Sequence, residues 1–435
     1  MRIVVYPHTL DVGGSQLNAV ELAAAVRDRG HEVSVFAPEH GPLADRIEDL
    51  GLPLDISAGW RRRPSASIMQ ELTRLTAAGS VDLVHAYEWP PCLEAFGGPH
   101  RRRGVPILCT VMSMGVSEMI PPSVPLVVGT EQIAAANRGR PGPVTVLEPP
   151  VDTVSNHPGA SGAELRSRLG LDPSLPTAVI VSRLAHELKQ EGIERAIEAV
   201  GRLVARGIGL QLVIVGDGPA RDAVAARAGS VDGRAGGRRV FLTGELRDPR
   251  PAYAAADVVL GMGGSALRAM AFAKPLIVLG EQGFSEVLEP GTWERFLWTG
   301  FFGLGDGGRS PDRLADQLAR LIADPDLRAE LGGFSRRLVE ERFSLARAAA
   351  VQEEVYRRTI AAPLPPRRRV LAELAVAGAR VLGSKVRARL PVGRPKALDD
   401  CNSLDAMART AARAGPPRVV AGATARTEER SRDGA

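Results

Sequence analysis

Two apolar patterns alternate along this chain. Short unbroken runs read as strands: Ile3–Tyr6, Glu32–Ala37, Asp82–His85 and Pro106–Thr110. Between the first two, Leu17, Val20 and Ala24 share one face of a predicted helix over Ser15–Arg29, which Gly30 terminates. Continuous apolar strands separated by helices predict βαβ units and a parallel sheet covered on both faces. A polar, glycine-containing stretch, Ser155–Gly162, reads as a linker before a short helix over Ala163–Leu171. The alternation then restarts, with strands predicted at Ala178–Val181, Leu210–Val215, Val240–Thr243, Asp257–Leu260 and Leu276–Leu279. Ile193, Ile197, Val200 and Val204 mark a helix over Ile193–Arg206. Ser310 and Pro311 cap and start another, whose stripe is Leu314, Leu318, Leu321 and Ile322, and a last pattern runs over Leu345–Ile360. The expectation is an α/β chain with two doubly wound, Rossmann-like domains, at 1–155 and 176–340, joined by a linker and domain start at 156–175.

Composition narrows the class. The chain has 435 residues, 44% apolar and 24% charged, ample for two cores and incompatible with wholesale disorder. No run of 18 uncharged apolar residues predicts a bilayer-crossing helix, and the apolar start at Met1–Tyr6 is too short for a secretory signal. Cys92, Cys109 and Cys401 are too few and too scattered for a disulfide framework or a zinc set, so a reduced, cytoplasmic setting is expected. The net charge of +5 divides unevenly: residues 363–435 carry fifteen Lys plus Arg against seven Asp plus Glu, a net of +8, leaving −3 for the rest. With aromatics at only 4%, no basic groove lined by stacking rings is present, and nucleic acid is not an expected partner. From Pro363 the chain reads as a basic, low-complexity, partly disordered tail. Its first part, to Leu390, is amphipathic, Val370, Leu371, Leu374 and Val381 opposing arginines, a pattern that suits peripheral contact with an anionic membrane face.

Two doubly wound domains place ligands at strand carboxyl ends, so the loops there decide the chemistry. Gly13, Gly14 and Ser15 let the backbone approach an anion at the head of a helix. Arg183, just past a strand, and Lys189, six residues on, form a cation pair suited to a diphosphate. Gly263, Gly264 and Ser265 offer a second strand-to-helix cradle. The same loop matches a dinucleotide fingerprint, Gly261-x-Gly263-x-x-Ala266 with Glu281 twenty residues after Gly261, which keeps an NAD(P)-dependent oxidoreductase as a remote alternative. Gly216, in Gly-Asp-Gly-Pro, turns the chain after a strand, and Thr243 ends the next.

Taken in order, these segments resemble glycosyltransferase family 4, the retaining nucleotide-sugar transferases of the GT-B fold, over about residues 1–360. Gly13-Gly14-Ser15 with Glu21-Leu22-Ala23 and Gly30-His31-Glu32-Val33 is similar to the family's first loop, helix and second strand. Val181-Ser182-Arg183-Leu184 with Lys189 resembles its donor-diphosphate pair, and Val215-Gly216-Asp217-Gly218-Pro219, Thr243-Gly244 and Ala269-Met270-Ala271 resemble its next landmarks. The resemblance implies two domains facing a cleft, a helix over 341–362 crossing back to the first, and transfer from a nucleoside-diphosphate sugar without metal or cofactor. It implies donor contacts from these loops and an unidentified acceptor, a lipid-linked or small-molecule glycan precursor.

Two departures stand out. The family's paired glutamates around the donor loop fall at Leu260 and Arg268, neither of which can accept a bond from a sugar hydroxyl. Glu281 and Glu286 are the candidate substitutes. Of the family's His-x-His on the acceptor side, His85 is present and Tyr87 replaces its partner. The missing glutamates sustain an alternative, a nucleotide-sugar-binding protein of this fold without transferase activity.

Overall fold

The computed structural model describes residues 1–59, 62–78, 80–307, 312–387 and 401–416. The first sheet consists of β1 (Arg2–Tyr6), β2 (Glu32–Ala37), β3 (Leu54–Ile56), β4 (Leu83–Tyr87), β5 (Ile107–Val111), β6 (Leu126–Val128) and β7 (Val144–Val146). Its strands are parallel and run in the order β3-β2-β1-β4-β5-β6-β7. The second consists of β8 (Thr177–Val181), β9 (Gln211–Val215), β10 (Val240–Gly244), β11 (Val258–Gly261), β12 (Leu276–Leu279) and β13 (Ser285–Val287). Its order is β10-β9-β8-β11-β12-β13, parallel except for the antiparallel edge pair β12–β13. Helices on both faces explain the unbroken apolar runs: every residue of β4, β5, β9 and β12 is buried. The predicted strands all form. The short strands β3, β6, β7 and β13, of three residues each, escaped notice because three residues carry no period.

The two sheets are stitched at their hinge. Val151 donates its N–H to the Phe343 carbonyl and accepts from Leu345, so the outgoing and returning chains run side by side. The predicted linker is pinned: the Arg336 guanidinium bonds the Thr153, Asn156 and Ala271 carbonyls. Helix Pro325–Phe343 belongs to the second core through Leu338, Val339 and Phe343. Helix Leu345–Ala361 crosses to the first domain, where Ala348, Ala349, Val355 and Tyr356 join the core under helix Gly14–Arg27. The helix start expected at Ser310 and Pro311 lies outside the described residues; the described helix is Asp312–Ala323, with Leu314, Leu318 and Leu321 buried.

The tail differs from its reading as loose chain. Arg367–Arg387 is a helix docked on the first domain through Val370, Leu374, Ala377 and Val381. Glu373 accepts from the Ser123 N–H and hydroxyl, and Arg380 donates to the Glu118 carbonyl. Val370, Leu374 and Val381 therefore serve the core rather than a lipid face. A second helix, Leu404–Ala414, follows. The remaining tail positions, 388–400 and 417–435, lie outside the described residues.

Candidate active site

In an open α/β sheet the crevice forms where strand order reverses, between neighbours whose connections leave in opposite directions. Here the first reversal is between β1 and β4, and the second between β8 and β11. The loops above them are 7–13 and Glu88 on one side, 182–189 and 262–263 on the other. Topology thus selects three of the loops that composition had singled out.

On the first domain, Gly13 precedes helix Gly14–Arg27, and a side chain at Gly14 would meet nothing within 4 Å, so its backbone faces open space. Ser15 Oγ and both polar atoms of Asn18 are buried without a partner, which leaves unmet hydrogen-bonding capacity at this helix head. Below it, Tyr6 donates to Glu94 (2.6 Å) and Arg63 pairs with the same buried carboxylate (2.6 Å), a satisfied network that fixes the floor. His8 rides above, its pKa lowered to about 4 by burial and by the Arg63 charge.

His85 is not a cleft residue. It lies within β4, fully buried, with Nδ1 bonded to the Tyr356 hydroxyl (2.7 Å) and Nε2 to Thr110 Oγ1 (2.7 Å). Burial lowers its pKa to about 3, so it stays neutral and both nitrogens are taken. The predicted acceptor-side role is corrected: His85 ties the crossover helix to the sheet. The residue that reaches the crevice from β4 is Glu88, which sequence reasoning passed over. Its φ of 66° is a left-handed conformation costly for glutamate. Its Oε1 accepts from the N–H groups of Met112 (2.9 Å) and Ser113 (3.1 Å), and the Ser113 side chain also bonds the carboxyl. Burial raises its pKa, opposed by the Met112 and Ser113 donors.

On the second domain, Arg183 is exposed and Lys189 half-buried, and neither side chain makes a hydrogen bond or ion pair among the described residues. Burial lowers Lys189 to about 8 despite the opposing charge of Glu281. Gly216 braces this loop instead of lining the crevice: a Cβ there would lie 1.9 Å from the Ser182 carbonyl. The Leu184 N–H donates to Asp217, and Ala220 donates to Leu184, which completes the brace. Thr243 is the penultimate residue of β10, two strands outside the reversal, and spends its hydroxyl on the Gly244 carbonyl (2.7 Å). Gly263 has φ 56° and gives its N–H to Phe301, whereas a side chain at Gly264 would meet only open space. Ser265 turns its hydroxyl back to the Met262 carbonyl, so what it offers an anion is its N–H in the first turn of helix Gly264–Ala271.

Leu260 is wholly buried in β11 and cannot touch a ligand. Arg268 instead crosses to the first domain, 3.8 Å from Glu21, whose carboxyl pKa burial raises. Of the two substitutes, Glu286 is held by Arg295 (2.5 Å) on the edge strand β13. Glu281 is 7% exposed, and its Oε1 is buried without a partner. Burial and the neighbouring Glu191 push its pKa to about 7, with Lys189 pulling the other way. Glu191 in turn receives the Gln282 and Gly283 N–H groups and so sets the loop that carries Glu281. Among the described residues no group of three metal-ligating side chains occurs.

A family model described as "Glycosyl transferases group 1" matches residues 175–324, and one described as "Glycosyl transferase 4-like domain" matches residues 13–145. The chain belongs to this glycosyltransferase family, family 4 of the GT-B fold; one match covers β2–β6 of the first sheet and the other all of the second. Its relatives include an alpha-D-kanosaminyltransferase of Streptomyces kanamyceticus, 33% identical over 206 residues, 46% of this chain and 49% of the relative. Another is a GDP-mannose-dependent alpha-(1-6)-phosphatidylinositol monomannoside mannosyltransferase of Mycobacterium tuberculosis, 33% identical over 216 residues, 46% of this chain and 52% of the relative. The chain spans about half the length of these curated relatives. A glycosyltransferase of Rickettsia africae superposes with TM-score 0.68 at 15% identity, over 83% of this chain and 99% of that one. Anabaena HepE in complex with UDP-glucose does so with TM-score 0.63 at 17% identity, over 82% and 99%. These superpositions bear on the fold. The dinucleotide fingerprint at Gly261 falls inside the matched transferase region.

Proposed function

We propose that the protein transfers a glycosyl group from a nucleoside-diphosphate sugar to an acceptor hydroxyl with retention of configuration. The observation that carries this is the pairing of two cations, Arg183 and Lys189, with the open backbone of Gly264 at one strand-order reversal and of Gly14 at the other, the helices that start at these glycines being joined by Arg268 and Glu21. The bond from the anomeric carbon to the diphosphate oxygen breaks, and its electron pair leaves with the diphosphate. The acceptor oxygen bonds the same carbon from the same face, and its proton passes to the departing diphosphate. Developing charge on that leaving group is what two cations and a helix head stabilise, so neither metal nor cofactor takes part in this reading. Glu281, buried with one oxygen unpartnered, supplies the hydroxyl acceptor that Leu260 and Arg268 cannot.

Of the relatives' names, one specifies the group transferred and the other an acceptor. One is named for transfer of kanosamine, the other for transfer to a phosphatidylinositol monomannoside. A lipid-linked acceptor has a counterpart in helix Arg367–Arg387: its outer face exposes Leu371, Leu382 and Val386, and Arg367, Arg368 and Lys385 flank them. Peripheral attachment at the cytoplasmic face of an anionic membrane suits that surface.

A thermal-shift panel of UDP, GDP, ADP, dTDP and their sugar conjugates tests the donor reading, since a ligand of the folded state raises its melting temperature. Arg183→Ala should abolish the shift and lower sugar release by about 100-fold or more, the effect of removing one stabilising donor. Because Arg183 is exposed and unpartnered, the melting temperature of the free variant should not move. Turnover equal to the parent's would remove Arg183 from the site. A second reading, donor binding without transfer, is favoured by the burial of Leu260 and the engagement of Arg268 with Glu21. A clear nucleotide shift with no sugar release to any acceptor or to water would select it.

A further inference from the structure

The Leu404–Ala414 helix is amphipathic, with Ser403, Ala406 and Thr410 on its buried face and Asp405, Ala408 and Arg409 outward. Ser403 caps it, its Oγ accepting the Ala406 N–H at 3.3 Å. On the first domain it rests on the loop that follows β5: Thr410 donates to the Met114 carbonyl (2.9 Å), and Arg413 pairs with Glu118 (3.2 Å). A side chain at Gly115 would meet Thr410 Oγ1 at 2.8 Å, so the bare glycine is what lets the helix lie so close. Alongside runs helix Glu131–Ala136, which follows β6. On the second domain, Leu404 and Met407, together with Met114, pack against the core that holds Leu188, Met262 and Leu279. One helix therefore touches both halves, and its first-domain contacts are at strand carboxyl ends, the edge from which the crevice opens. The loop beneath it is the one whose Met112 and Ser113 N–H groups Glu88 holds.

We propose that the Leu404–Ala414 helix is a clamp: it bridges the two domains, walls the acceptor edge of the cleft, and sets the balance between closed and open forms. The closed form excludes water from the reacting groups, and the open form admits and releases ligands. The clamp acts through apolar contact on one side and hydrogen bonds on the other, so separating the domains must break one set. The acceptor-edge role rests on the transferase reading; the bridging role does not.

Two full-length variants test it. In Gly115→Cys/Thr410→Cys, made with Cys401→Ser, mild oxidation should form the 115–410 disulfide, identified by peptide mass mapping, because those positions are in contact. In Leu404→Asp/Met407→Asp, the apolar side of the bridge is removed while the cores are untouched. Tryptic cleavage after Arg409 and Arg413 should then accelerate by about tenfold or more, since cleavage follows the opened population. The radius of gyration from solution scattering should rise above that of the parent, and the oxidised double-cysteine chain should stay at the closed value. Failure of the disulfide to form overturns the docked position. An unchanged radius in Leu404→Asp/Met407→Asp overturns the clamp even if cleavage is faster. UDP and GDP melting shifts run in parallel separate the two proposals: no shift in any variant sinks the transferase reading and leaves the clamp result standing.

Discussion

At the scale of single residues, titration separates structural from functional groups. Lys189 is held at about 8 by burial, and a bound diphosphate would favour its charged form and raise that value. Nucleotide binding should therefore take up protons between about pH 8 and 9, visible as a dependence of calorimetric heat on buffer ionisation enthalpy. Affinity should fall as pH rises through about 8. Glu281, at about 7, accepts a hydroxyl more strongly when ionised, so sugar-conjugate affinity should also fall below that value. Lys189→Met should abolish the proton uptake, and uptake unchanged in that variant would exclude Lys189 as its source. His85 shows the other behaviour. Its folded-state pKa of about 3 lies below the unfolded value near 6.5, so the unfolded chain binds the proton first. It costs no stability above about pH 6.5, and below that stability is lost progressively down to about 3, at up to about 1.4 kcal/mol per pH unit. Tyr356→Phe leaves His85 Nδ1 without its partner and should lower stability by about 1–3 kcal/mol in denaturant titration, with donor affinity unchanged.

At the scale of elements, periodicity was a good guide to existence and a poor one to partners. The helix over residues 367–387 shows the difference: apolar positions recur around it, so the sequence alone does not say which stripe meets the protein. Packing assigned Val370, Leu374, Ala377 and Val381 inward and left Leu382, 65% exposed, outward with Leu371 and Val386. Leu382→Ser/Val386→Ser should therefore reduce binding to vesicles of phosphatidylglycerol and phosphatidylcholine by several-fold, given about 0.8 kcal/mol per buried methylene, without lowering the melting temperature. Val381→Asp should do the reverse, loosening the helix from its cluster with Leu93 and Met119. Equal vesicle binding by the parent and the serine variant would dismiss this face as a membrane contact.

At the scale of the whole molecule, the domains meet through contacts of unequal strength. Arg268 and Glu21 stand 3.8 Å apart and partly exposed, and such pairs contribute about 0.2–1 kcal/mol. A double-mutant cycle on Arg268→Ala and Glu21→Gln should return a coupling in that range. A value above about 2 kcal/mol would make this pair, and not the apolar contacts of Leu404 and Met407, the principal tie across the cleft.

What the amino-acid order determined by itself was local: unbroken apolar runs that have to be buried on both faces, glycines where backbone must turn or approach, and the scarce lysine at 189 beside Arg183. Those features suffice for two doubly wound sheets and for the glycine-bearing turns at the strand ends, because each depends on neighbours a few positions away. Tertiary structure alone decided what depends on distant ones. It paired His85 with a tyrosine 271 positions on and so withdrew it from chemistry. It set the left-handed Glu88 at the mouth between β1 and β4, joined Arg268 to Glu21, and laid helix Leu404–Ala414 over Gly115. None of these carries a period or a motif, since a contact across hundreds of residues leaves no local trace in composition or spacing.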